Sequence, residues 1–367
     1  MEPAKDSINF CWGAYFCERG GPIYSKLEKR SNHSGGLLMQ EQHAARVELF
    51  VSNTQIIKKS FKWQNVMMHR LAALLYAAEN KQADGEAIRQ SHELIKQNTN
   101  LFSAFRGNSA ISIATLLSLT TDQEKKLEDT LLIYDLMKKI KFRTSDFLVI
   151  AAYQIAAHAT TEQFEHKVER AKAFYDHMKA QHRFLTGQDD YIFAAMLALS
   201  DLDVELGVTR MEQLYVELKP EFSPGNSVQA LTQVLVLGGD NLEAGAHVIA
   251  LNEAFRRRGI RLDKMYTLPA LGILSLLPAD RDTLVEQVEE TYEWLRTQKG
   301  FGAWSINKQE LLLLSSSLVA VQYVEDLRNG VLTTTVSTSI TNIIIAQQAA
   351  MAAAATSAAA VASTSSN

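Results

Sequence analysis

From residue 44 onward, apolar positions recur at spacings of three and four, as in Leu71, Leu74, Leu75 and Ala78. That is the period of an amphipathic helix, not the alternation of a half-buried strand. No proline occurs between residues 23 and 219, so nothing in that stretch forces a helix to stop. The pattern predicts an all-α chain without long strands.

The pattern also repeats. Tyr134-Asp135-Leu136-Met137 recurs as Tyr175-Asp176-His177-Met178, as Tyr215-Val216-Glu217-Leu218 and, more weakly, as Phe255-Arg256-Arg257-Arg258. Tyr292-Glu293-Trp294-Leu295 is a further copy and Leu94-Ile95-Lys96-Gln97 a degenerate earlier one, which gives a period near 40. Each copy is followed by an apolar loop residue: Phe105, Phe142, Phe184, Phe222, Ile260 and Phe301. A second helix rich in Ala and Leu comes next, over 114–119, 151–157, 193–199, 231–237 and 271–277.

A single helix pair of this length cannot bury both of its apolar faces, so neighbouring pairs must stack and share a core. The Tyr/Phe-x-x-Met/Leu positions form the buried stripe, and small residues such as Ala194, Ala195 and Ala198 allow close helix approach. Ser145-Asp146, Asp189-Asp190, Asn226-Ser227, Asp263 and Ser305 are suited to helix starts, and Gly259 after three arginines to a helix end. The expectation is tandem αα-hairpin repeats of about 40 residues, either an open α-solenoid or a closed α/α toroid. About six pairs fit between residues 85 and 326, after one helical hairpin near 44–81.

Composition then separates the ends from the body. Residues 1–38 hold both cysteines, Cys11 and Cys17, five of the 18 Gly and two of the 6 Pro. Glu2, Asp6 and Glu18 interrupt any signal-peptide pattern. Met39 opens a stretch that reads as an ordinary start, and the codons for Gly35-Gly36 suit a ribosome-binding site. Residues 1–38 are therefore expected to be a disordered or spurious extension. The C-x5-C spacing matches no common zinc or redox motif, and no cysteine follows residue 38. Thiolate catalysis, disulfides and cysteine-bound zinc are thus excluded from the body.

Past Arg328 no charged residue occurs. The run 343–361 is apolar at 15 of 19 positions, which is long enough to span a bilayer. Most of it is alanine, however, with Gln347 and Gln348 inside, so no membrane span is expected. Residues 329–367 read as an uncharged Ala-rich tail helix, suited to self-association through Ala346, Ala349, Ala350 and Ala353. Residues 39–328 form a single helical repeat domain between these two ends.

A resemblance follows from several short segments. The tail 339–351, Phe105-Arg106-Gly107-Asn108, the run 185–191, Leu268-Pro269-Ala270-Leu271-Gly272 and the run 299–305 resemble an uncharacterised bacterial family, domain of unknown function 4003. The likeness extends over about residues 44–355 and implies no established activity, so it brings no catalytic residues.

Candidate chemistry lies in the loops. If the pairs stack, Arg106, Asn108, Arg143, Gln188, Asp189, Asp190, Asn226 and Trp304 come to one edge. Arginine, carboxylate and tryptophan together suit a protein or peptide partner or a polar small molecule, whereas the plain alternative is helix capping and a solvated edge. Asp189 and Asp190 are the weak catalytic candidates, but adjacent helical residues point about 100° apart and do not face one ligand unaided. The histidines lack metal spacing, and no metal or cofactor is expected. Arg256–Arg258 with Arg261 and Lys264 lacks the long basic stripe of a nucleic-acid site, and the net charge of −4 does not draw the whole chain to nucleic acid.

Two functional expectations result. The first is a cytoplasmic, non-catalytic binding or scaffold protein using its loop edge. The second is an α/α-toroid enzyme on a polar or isoprenoid-like substrate, since the loops 300–304 and 222–226 are similar to the Gly-Phe loops of isoprenoid toroids. Neither D-D-x-x-D nor D-x-D-D occurs, and 201–205 is the nearest approach. Association with a membrane through the tail is a third expectation.

Overall fold

A computed structural model describes residues 41–62, 65–107, 109–239 and 241–329, with side chains to residue 323. The expectations for 1–38 and for the tail beyond residue 329 lie outside the described residues. Within them the chain is all-α: fourteen α-helices, two short 3-10 turns and no strand.

The helices come in antiparallel pairs. α1 (Glu41–Ser60) packs on α2 (Val66–Ala78), α3 (Gly85–Gln97) on α4 (Ala110–Ser118) and α5 (Gln123–Lys139) on α6 (Asp146–His158). α7 (Phe164–Gln181) packs on α8 (Asp190–Leu199), and α9 (Val204–Leu218) on α10 (Gly225–Leu237). α11 (Ala244–Arg257) packs on α12 (Leu268–Ser275), and α13 (Arg281–Arg296) on α14 (Lys308–Asn329). Each odd helix also touches the next odd helix, and α13 and α14 return to pack on α1.

The two sets of helices differ as their sequences require. Odd helices bury one stripe, as in Ile88, Ser91 and Ile95 of α3 or Val208, Met211, Leu214 and Leu218 of α9. The even helices α4 to α12 carry almost no charge, with long stretches buried on every face, as over 148–156 in α6 and 190–198 in α8. A helix without a polar face has to lie inside, so the even helices form the inner layer. One continuous apolar core runs from Val47 to Val321.

The repeated Tyr/Phe-x-x-Met/Leu segments all close odd helices at one end of the molecule. Met137, Met178, Leu218, Phe255 and Leu295 are buried there. The loop residues Phe105, Phe142, Phe222, Ile260 and Phe301 are buried beside them. Phe184 breaks the rule, standing 96% exposed.

Helix starts are set by caps where the sequence supplies them. Ser145 accepts the Leu148 amide at 3.2 Å, and Asp84, Asp122, Asp203 and Asp280 cap α3, α5, α9 and α13 in the same way. Two expected starts shift, while Asn226-Ser227 lie in the first turn of α10, which begins at Gly225. Asp263 lies in the loop before α12 and pairs with Arg261 at 3.0 Å instead of capping. Ser305 precedes α14, whose first turn is capped by Asn307 through the Glu310 amide at 2.8 Å. At α14 a side chain nearer the helix fills the role expected of Ser305, whereas α12 starts without a side-chain cap and carries Pro269 in its first turn, where a missing N–H costs nothing.

Candidate functional site

Every odd-to-even connection lies at one end of the molecule and every even-to-odd connection at the other. The odd-to-even loops span 61–65, 98–109, 140–145, 182–189, 219–224, 258–267 and 297–307. Neighbouring loops and helix starts at this end are joined by hydrogen bonds. Ser109 donates through its amide and hydroxyl to Asp146 Oδ1 at 3.0 and 2.9 Å. The Arg143 amide donates to the Tyr191 hydroxyl at 3.2 Å, and Gln229 Nε2 to Thr186 Oγ1 at 2.9 Å. Gln309 Nε2 donates to the Arg261 carbonyl at 3.3 Å, and Gln55 Nε2 to the Lys299 carbonyl at 2.9 Å. The loops thus form a connected edge, and the sequence-chosen residues divide within it.

Arg106 faces inward along its own loop. Its guanidinium donates to the Lys96 and Thr99 carbonyls and to Thr99 Oγ1, closing the C-terminal end of α3. Asn108 lies outside the described residues. Arg143, Asn226 and Trp304 are exposed at the edge, and Gln188 and Asp189 are half-buried at the start of α8.

Asp190 is buried. Its Oδ2 accepts the Gly187 amide at 2.7 Å, and its Oδ1 accepts Gln233 Nε2 at 2.7 Å. Gln229 Nε2 lies farther, at 3.4 Å. Burial, reinforced by the neighbouring Asp189 carboxylate, pushes the Asp190 carboxyl up to about 7. The Gln229 and Gln233 Oε1 atoms have no hydrogen-bond partner among the described residues. Phe142, Tyr175 and Tyr191 stack beside this cluster with centroids 4.8–5.7 Å apart, and burial with the adjacent Tyr191 raises the Tyr175 phenol. An indentation of about 270 Å³ lies next to it, lined by Met178, His182, Met211, Glu212, Tyr215 and Gln229 among others. The His182 ring faces Glu212 at 2.8 Å and Tyr215 at 4.2 Å between centroids. Its interior has room for about one water molecule, far short of a substrate. Among the described residues no group of His, Cys, Asp and Glu is arranged to hold a metal ion.

What sequence reasoning missed is the collective character of the edge. The seven loops hold ten Lys or Arg against three Asp or Glu. The even-to-odd connections at 79–84, 119–122, 159–163, 200–203, 238–243 and 276–280 hold nine acidic residues and one basic. A chain with a net charge of −4 is therefore strongly polarised from end to end. The exposed aromatics follow the cations. Phe102, Phe184 and Trp304 are 96, 96 and 103% exposed, and Tyr266 is exposed with them; all four lie on odd-to-even loops. Alternate-loop charge was legible once the helices were paired, whereas the outward turn of Phe184 was not.

The family model described as "Protein of unknown function (DUF4003)" matches residues 53–349. The chain belongs to this family. It is also similar to the uncharacterized protein YeaA of Bacillus subtilis (strain 168), 23% identical over 239 residues, covering 62% of this chain and 71% of the relative. No solved structure matches the chain. Among the described residues no helix is long and apolar enough to cross a membrane.

Proposed function

We propose that this chain is a non-catalytic binding protein with the odd-to-even loop edge as its recognition surface. The observation that carries the reading is that, among the described residues, exposed aromatics and exposed cations occur together at that edge alone. Fully exposed Phe and Trp side chains cost solubility and add nothing to the core, so their place is at a contact surface. Arg143 and Trp304 contribute to that surface directly. Gln188, Asp189 and Asn226 line it as polar rim, and Arg106 holds the loop that presents Phe102. The packing of α13 and α14 back onto α1 supports a closed α/α ring, and a closed ring presents its loops as one continuous rim.

The test compares the full chain with an Arg143→Ala/Trp304→Ala double variant by cross-linking in host-cell extract. Both side chains are exposed, so the variant folds. Loss of the cross-linked set is expected, and an unchanged set overturns the reading.

The enzyme reading has one observation in its favour, the buried Asp190 carboxyl held protonated near neutrality beside an indentation. Against it, both carboxyl oxygens already serve the Gly187 turn and Gln233. An α/α-toroid enzyme would lose turnover of a polar or isoprenoid-like substrate on Asp190→Asn without losing its fold.

A further inference from the structure

Seven exposed cations stand on six of the seven odd-to-even loops: Lys62, Lys141 and Arg143, Arg183, Lys219, Lys264 and Lys299. None forms an ion pair among the described residues. The cations in the last turns of α1, α5, α11 and α13 sit against helix C-termini and answer the helix dipole. Lys219 is the C-cap of α9, and Lys62, Lys141 and Arg183 stand two residues past a helix end, so the dipole favours these too; what sets the loop cations apart is that they face solvent without a paired carboxylate among the described residues. The one loop without such a cation carries Leu101 and Phe102, 72 and 96% exposed.

The apolar side chains at this edge are of a particular kind. Leu101–Phe102 and Met265–Tyr266 are adjacent pairs, and Phe184 and Trp304 stand singly on two further loops. Tryptophan, tyrosine and phenylalanine favour the boundary between headgroups and acyl chains, and Leu and Met gain by entering it. A nucleic-acid strand would use π-faces along a basic groove, but Leu101 and Met265 have none and the tips lie on separate loops. A bound peptide needs a groove or an unpaired strand edge, and the indentation described above holds about one water. A flat anionic surface needs neither.

We infer that the odd-to-even edge docks on an anionic lipid bilayer, its cations against the headgroups and Phe102, Phe184 and Trp304 in the interface. This rests on the reading of that edge as the recognition surface and names its partner. The acidic connections at the other end face away, so the polarised chain is oriented by the same field that would repel its net charge. Each Lys or Arg held near an anionic leaflet strengthens binding roughly fivefold, and the attraction fades within the screening length.

The experiment is vesicle co-sedimentation of the full chain with phosphatidylcholine vesicles and with vesicles containing phosphatidylglycerol. Binding is expected only to the second, and it is expected to vanish in about 1 M salt, where the screening length is about 3 Å. Two variants carry the assignment, both confined to exposed side chains: Arg143→Gln/Arg183→Gln and Phe102→Ser/Phe184→Ser/Trp304→Ser. The first should weaken binding by roughly twenty-five-fold, from the fivefold for each of two cations. The second should weaken it at least about tenfold while leaving the circular dichroism melt unchanged. No binding to anionic vesicles overturns the inference. So does binding that both variants retain, which would place the lipid contact elsewhere in the chain, such as the uncharged tail. Vesicle failure with preferential binding to polyglutamate or to single-stranded nucleic acid also overturns it. If the Arg143→Ala/Trp304→Ala variant still loses its cross-linked set in that case, the edge reading stands and only the bilayer falls.

Discussion

Asp190, the carboxyl that the sequence offers for catalysis, is tied into the fold by both of its oxygens. It stands in the first turn of α8, where a carboxylate is ordinary, yet the helix it opens is buried on every face. Losing water there favours the neutral acid. Its partner Gln233 has an Oε1 without a hydrogen bond among the described residues, so half a turn of that amide lets Oε1 accept the Asp190 proton. The pH dependence follows by sign. Unfolded, the carboxyl titrates near about 3.9, and folded it titrates at about 7. Between those values the folded chain holds more protons than the unfolded chain, so this group's contribution to stability is full at acid pH. It is lost as pH rises through about 7, by an amount of the order of a few kcal/mol. Asp190→Asn removes that titration, and its amide still pairs with Gly187 and a turned Gln233. The variant minus parent melting temperature should therefore rise from about pH 4.5 to about pH 8 and level off above. A flat difference across that range would show that Asp190 is ionised throughout in the fold.

At the scale of helices, closeness between the inner elements is set by small residues. α12 has eight residues and carries Gly272 where it meets α10. A Cβ on Gly272 would stand 2.6 Å from Leu231 Cδ1 and 3.2 Å from Val234 Cγ1. Leu231 and Val234 are fully buried and have nowhere to retreat. Gly272→Ala should thus destabilise by about 1–3 kcal/mol, against the gain an alanine brings to an open helix. Chemical denaturation measures it, and equal or greater stability in the variant would mean that α10 and α12 sit farther apart. This scale is also where the sequence was most readable. Period, pairing and the Tyr/Phe-x-x-Met/Leu stripe depend on local spacing, so the helices and their order emerged from it directly. Helix starts at Asp263 and Ser305 did not, because Arg261 competes for one carboxylate and Asn307 lies closer to the helix than the serine. Of the residues read as an edge, Arg143 and Trp304 stand exposed, while Arg106 turns in to backbone carbonyls that only the folded loop brings within reach. Phe184 occupies the place where five sister loops bury their apolar residue, and a sequence alone does not tell which copy of a repeat departs from the rule.

For the molecule as a whole, the decisive contacts join hairpins farthest apart in sequence. Arg70 of α2 pairs with Glu310 of α14 at 2.5 Å and also donates to the Gly300 and Ser305 carbonyls, both at 3.0 Å. Its guanidinium lies over the Phe301 ring, which meets Phe50 of α1 at 5.6 Å. His43 of α1 reaches Thr291 of α13 at 2.8 Å; because the Thr291 hydroxyl donates to Gln287, His43 Nε2 is the donor. In an open array the first and last pairs have one neighbour each and fray first, whereas here each braces the other. The Arg70–Glu310 side chains are nearly inaccessible, so a lone charge left there is expensive. Glu310→Gln keeps the shape but strands the Arg70 charge, and should cost about 3 kcal/mol. Arg70→Met with Glu310→Met removes both charges and should recover much of that loss. The location of the damage is the sharper measure. Native-state hydrogen exchange of Glu310→Gln should quicken in α1, α2 and α14 and leave α6 to α8 at parental rates. Uniform acceleration through all fourteen helices would mean that the pair stabilises the chain without holding its two ends together.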